Sequence, residues 1–216
     1  MKRKLWKLVI PALLVIALIG YTAISAQGEF VQASYEIELQ KPGAELEDAR
    51  YLRDGNLLLV GGSESECFGV LTDTASQSAQ PLWEISGGFR GLSVLPDRVV
   101  LACETARYQD GVVQKQIKLF SYGSSDFSQL GKTTVLRGLS DLSSGAFAAA
   151  SDGTVYLLKG SEPNMLYTTE DVAESSEEKI QSLVPFCDLE EPISELVAAP
   201  SNGGVYLVSQ SGGLWR

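Results

Sequence analysis

One pattern recurs along this chain from residue 46 onward and limits what it can fold into. An apolar stretch runs into an Asp or Asn, usually followed by Gly, and then into a second apolar run. The copies span Tyr51 to Val60, Leu92 to Leu101, Ala149 to Leu158 and Ala199 to Val208, with turn residues Asp54, Asp97, Asp152 and Asn202 spaced 43, 55 and 50 residues apart. Asp-Gly and Asn-Gly accept the positive φ angles of a two-residue hairpin turn, so each copy predicts two antiparallel strands joined tightly. Asp97-Arg98 departs from the pattern and predicts a longer turn or one of another type.

Further strands follow each hairpin. In the first unit they are Cys67 to Thr72 and Gln80 to Ser86, joined by the polar loop from Asp73 to Ala79. In the second, Gln114 to Tyr122 alternates polar and apolar residues with period two, as a half-buried strand does. The third has Asn164 to Thr168 and then Ile180 to Phe186. Four short strands every 40 to 55 residues make an all-β chain of β-propeller-like repeats, four-stranded antiparallel blades being the repeating unit. A compact β-sandwich or open stack of sheets is the competing architecture.

The Asp-Gly-x-Val-Tyr-Leu hairpin, together with Val70 to Asp73 and the Trp-bearing strand Pro81 to Glu84, resembles the quinoprotein-like and related β-propeller families. The resemblance covers about residues 46 to 216, and its motifs are shared by many propellers, so it implies a fold and no activity. Quinone binding is not carried over, and Trp83 is expected to pack between blades. Three full units and a fourth beginning at Pro192 make about three and a half blades, where closed propellers have four to eight. The chain is therefore expected to be a C-terminally truncated piece of a longer propeller, with Ser34 to Leu39 supplying a strand to its last blade.

The beginning of the chain is of a different kind. Lys2, Arg3, Lys4 and Lys7 precede 21 uncharged residues, Leu8 to Gly28, as in an export signal. Residues 1–28 are expected to be a signal peptide or a retained membrane anchor, and residues 29–216 the propeller-like domain. Ala23 and Ser25 suit cleavage after Ser25, while the length of the run suits a bilayer span of roughly 20 residues. The domain is thus expected outside the cytoplasmic membrane, tethered or secreted. No cysteine lies near the end of the run, which excludes a lipoprotein anchor.

The first 28 residues hold four of the 17 Lys and Arg and none of the 27 Asp and Glu, leaving 13 bases against 27 acids, a formal charge of −14. Such a surface repels nucleic acid and anionic headgroups, so no nucleic-acid partner is expected. The sequence has no histidine, which removes Ser-His-Asp and Cys-His nucleophiles and all histidine-ligated metal sites. Cys67, Cys103 and Cys187 show no Cys-x-x-Cys spacing and sit among apolar neighbours, as buried thiols do; one pair of them is open to disulfide formation.

Three segments invite a chemical role. Thr169 to Lys179 holds five acids and one base but lacks the alternating ligands and central Gly of a calcium loop, and is expected to be a solvated insertion. The acids of Ser63 to Glu66 and of Asp188 to Glu191 suggest a glycosidase, yet adjacent acids in a strand point to opposite faces. Gly87 to Gly91 has no helix after it to complete a phosphate cradle and is expected to connect two blades. No catalytic residue, cofactor or metal site is expected. The function expected is a non-catalytic binding or scaffolding module for a protein or peptide, with an exported carbohydrate-active enzyme using Asp and Glu as the alternative.

Overall fold

The computed structural model describes residues 44–52, 54–73, 78–137, 139, 142–169, 178–199 and 204–216. The expected signal or anchor segment, the strand at 34–39, the Asn202-Gly203 turn and most of the acidic segment 169–179 lie outside these residues. Among the described residues no helix is long and apolar enough to cross a membrane.

Among the described residues all regular structure is β. Strands β1 (Glu45–Tyr51), β2 (Leu57–Ser63), β3 (Glu66–Asp73) and β4 (Ser78–Ile85) form an antiparallel meander, the first sheet. The second sheet holds β5 (Gly88–Val94), β6 (Arg98–Gln109), β7 (Val112–Gly123) and β8 (Thr134–Arg137). The third runs β9 (Leu142–Ala149), β10 (Val155–Lys159), β11 (Glu162–Thr169), with β13 (Val184–Asp188) outermost. The fourth has β14 (Ile193–Ala199), β15 (Gly204–Ser209) and the two-residue β16 (Leu214–Trp215). These four small sheets stand in a propeller-like arrangement, as the repeat predicted, with the first strand of each innermost: β5 packs against β9, and β9 against β14.

The run Val99 to Cys103 shows why the sheets pack face to face. Val99, Leu101 and Cys103 point into the core shared with the first sheet, beside Leu58, Val60 and Cys67. Val100 and Ala102 point the other way, into the core shared with the third and fourth sheets, beside Phe147, Leu157 and Leu196. A strand buried on both faces reads as an unbroken apolar run, not as an alternation. Trp83 on β4 fills the seam between the first two sheets, where its ring stacks on that of Tyr122. It lies over Gly69 on β3, where a β-carbon would come within 2.4 Å of the indole.

The hairpins differ in detail from the expected two-residue turns. At Asp54-Gly55 the loop has three residues: Gly55 N–H bonds to Leu52 O, Leu52 N–H bonds to Asn56 O, and Gly55 takes φ 86°. Ala150 to Thr154 repeats these bonds with Gly153 at φ 90°, and Ser209 to Gly213 repeats them with Gly212 at φ 89°. One left-handed glycine after a tight turn suffices for such a loop. The two-residue turn with positive φ at both positions is instead Asp110-Gly111, at 52° and 80°, joining β6 to β7. Pro96-Asp97 links β5 to β6 without a left-handed residue.

A second difference concerns the strand expected at Ile180 to Phe186. It is divided. β12 (Lys179–Ser182) runs parallel to β8 in the second sheet, and β13 pairs with β11 in the third. Between them Leu183 packs on the main core. β8 has four residues, and β12 covers its open edge, while Lys118 Nζ and Thr133 Oγ1 both donate to Glu178.

Candidate functional site

The innermost strands share an irregularity that aims their side chains. In β1 the register slips between Leu46 and Asp48, in β5 between Phe89 and Gly91, and in β14 between Ile193 and Glu195. Each slip leaves one extra residue, Glu47, Arg90 or Ser194, at the same place in its sheet. In β9 the interruption is wider, Phe147 facing Leu157 while Leu142 faces Lys159. A bulge turns the next side chain toward a new direction. The residues that follow the three bulges, Asp48, Gly91 and Glu195, all line one cavity of about 200 Å³ between the first strands of the four sheets.

This axial cavity has a buried apolar floor of Phe89, Leu92, Phe147 and Leu196. Its rim carries Glu47, Asp48, Arg50 and Glu195, with Arg50 Nε 3.0 Å from Asp48 Oδ1. The walls approach closely at Gly91, where a β-carbon would stand 2.7 Å from the Cβ of Phe147. Deeper between the same two strands, Ala149 N–H donates to the buried Ser93 Oγ at 2.8 Å. Carboxylates from two different sheets thus face a common space, which neither acid cluster singled out in the sequence provides. Glu64 sits in the β2–β3 turn and Glu191 precedes β14, where it accepts from Ser211 Oγ at 2.5 Å.

A larger groove of about 660 Å³ opens between the first and second sheets. Its charged floor is the bulge residue Arg90 with Glu104 and Lys115: Glu104 accepts from Arg90 Nη2 at 2.9 Å and lies 2.6 Å from Lys115 Nζ. Desolvation pushes the Glu104 carboxyl up, but the hydrogen bonds from Lys115 and Arg90 together outweigh it and hold the pKa below its ordinary value. One bank of the groove is the Glu64-Ser65 turn. There the expected connection at Gly87 to Gly91 does join two sheets, and it requires glycine, since a β-carbon on Gly88 would meet Glu64 O at 2.7 Å. From Gly88 onward that segment is strand β5.

The other bank is a β-ribbon. β5 covers β6 only as far as Glu104, and β8 covers β7 only from Ile117. Beyond those points Thr105 to Gln116 continue as a two-stranded arm with ladder bonds to each other alone. Across this arm Tyr108 pairs with Val113 and Ala106 with Lys115, so these four share the face that borders the groove. Tyr108 is 75% exposed and Val113 63%, beside Val112 at 58%.

Among the described residues no group of three Cys, Asp or Glu side chains is placed to hold a metal ion. The chain matches no protein-family model and no curated protein sequence.

Proposed function

We propose that this chain is a non-catalytic binding module, held outside the cytoplasmic membrane by residues 1–28, whose propeller-like sheets present a groove to an extended peptide or protein segment. The observation that carries this reading is the β6–β7 ribbon. It projects past the sheet, offers unpaired strand edges, and exposes Tyr108, Val112 and Val113. Strand edges bind extended peptides through main-chain hydrogen bonds, and apolar side chains beside them select the ligand. The groove volume falls within the usual range for ligand sites, roughly 300 to 1,000 Å³, and the axial cavity falls below it. Kinship with quinoprotein-like propellers belongs to the same proposal and rests on the Asp-Gly hairpins and Trp83.

The test is selection of displayed random peptides on the full-length chain in detergent micelles, repeated with Tyr108→Ser and Val113→Ser. Peptides that bind the native chain and lose binding to both variants, at unchanged melting temperature, support the groove. Peptides that bind the variants equally well, or no enrichment over bare micelles, overturn it.

A second reading is favoured by one observation, the rim of the axial cavity. Glu47, Asp48 and Glu195 come from two sheets, and a glycosidase needs two carboxyl groups across the scissile bond. An exported carbohydrate-active enzyme would release reducing ends from polysaccharide, and Glu195→Gln would abolish that release. The geometry favours the binder, because Glu47 is exposed and Asp48 is engaged by Arg50.

A further inference from the structure

Cys67 on β3 and Cys103 on β6 belong to different sheets and lie 36 residues apart in the chain, yet their Sγ atoms stand 3.1 Å from each other. Both side chains are fully buried, in the core between the first and second sheets, with Leu58, Val60 and Leu101 around them. Cys187, the third thiol, is on β13 in another sheet and packs at the edge of the other core. Three thiols allow three pairings, and the fold brings one of them together.

We propose that Cys67 and Cys103 form a disulfide that staples the first sheet to the second, installed while the chain folds by a disulfide donor such as oxidised glutathione. The sulfurs need to close by about 1 Å to reach bonding distance. The thiolate of one cysteine attacks the donor disulfide and expels one donor thiol, giving a mixed disulfide. The second cysteine then attacks the protein sulfur and releases the other donor thiol. The two protein thiols lose two protons and two electrons, and the donor disulfide takes them up as two thiols.

Burial sets the timing. The Cys67 side chain and desolvation together push the Cys103 thiol well above its ordinary pKa, so Cys103 in the folded, reduced chain offers almost no thiolate, and the complete burial of both side chains keeps a donor from either sulfur. Exchange is therefore confined to the stage before the two sheets close. Afterwards the same burial shields the bond from reductant. The isolated thiol Cys187 stays reduced.

The full-length chain, unfolded and reduced, is refolded in detergent micelles with a glutathione redox pair, then denatured, alkylated and weighed. The expected product has one alkylated cysteine and is lighter by two hydrogen atoms before alkylation, with one linked peptide containing Cys67 and Cys103. Cys187→Ser should give the same linked peptide and no alkylation, and Cys103→Ser should give no internal link. Glutathione added after folding in its absence should leave all three cysteines alkylatable on later denaturation. Three alkylated cysteines after oxidative refolding, or a link that includes Cys187, would overturn the assignment.

Discussion

The indole of Trp83 lies flat on the ring of Tyr122, centroids 4.6 Å apart and planes 13° from parallel, and so joins the first sheet to the second. Phe127 packs against the same indole in a tilted arrangement, centroids 5.9 Å apart. An offset aromatic stack of this kind adds about 1 kcal/mol to what the buried area gives. Replacing Trp83 with Ala should cost about 3 kcal/mol in urea unfolding, with both sheets losing stability together. Gly69→Ala tests the same contact from the other side, because the new methyl must displace the indole. It should be destabilising in the native background and close to neutral with Trp83→Leu; equal costs in both backgrounds would show that the ring does not set the limit at Gly69.

Why some of this was readable from sequence follows from what each element asks of its residues. Asp54-Gly55 and Asp152-Gly153 announced hairpins because a left-handed position selects for glycine, and apolar runs on both sides marked paired strands. Asp110-Gly111 escaped the same template because its flanks are solvent-exposed ribbon, Tyr108 and Val112 among them, so no buried face imposes a pattern. Trp83 read correctly as a packing residue. The bulges at Glu47, Arg90 and Ser194 left no trace, since a one-residue slip is a property of the pair of strands and not of either sequence. The convergence of the axial carboxylates Asp48 and Glu195 is therefore not legible in the sequence, where the adjacent acids around Glu64 and Glu191 are the conspicuous ones. The division of the strand at 180–186 was equally hidden, because the parallel partner of β12 lies more than forty residues upstream.

The groove floor should show itself in a pH titration. Folding draws the Glu104 carboxyl below its ordinary value of 4.5, through Arg90 and Lys115, against the cost of desolvation. The stabilisation is therefore full above about pH 4.5 and fades as pH falls through the lower native value. Lys115 is 63% exposed, so solvent screens its share, and the whole network is worth about 1 kcal/mol. Glu104→Gln should lower stability by that amount at pH 7, and the gap from the native chain should shrink toward pH 3. A gap that stays constant across the range would assign the loss to packing.

The three-residue loops make a sharper prediction about backbone. In the Asp152 loop, Thr154 N–H donates to Asp152 Oδ1 at 2.9 Å, and Asn56 N–H donates to Asp54 Oδ1 at 3.0 Å in the other copy. The aspartate thus holds the turn while the glycine supplies the left-handed angle. Gly153→Ala should cost about 1 kcal/mol from φ alone, because a β-carbon strains at 90°. Gly153→Asn should cost less, since asparagine tolerates that region. Melting temperatures of the two variants, compared with the native chain, read the difference directly; an alanine variant as stable as the asparagine one would mean that the loop has changed type.

The β6–β7 ribbon should behave unlike any other part of the fold when its apolar tip is made polar. Tyr108 and Val113 are mostly exposed, and the ribbon beyond Glu104 and Ile117 adds no ladder bonds to a neighbouring strand. Exposed substitutions away from caps and cores shift stability by no more than about 0.5 kcal/mol. The double variant Tyr108→Ser, Val113→Ser should therefore unfold at the same urea concentration as the native chain. It should also aggregate more slowly on storage, because two unpaired strand edges beside apolar side chains are a site for edge-to-edge pairing. Light scattering over time distinguishes the outcomes. A variant that unfolds earlier would mean that the ribbon is part of the core, and the groove would then lose the bank on which its ligand is proposed to lie.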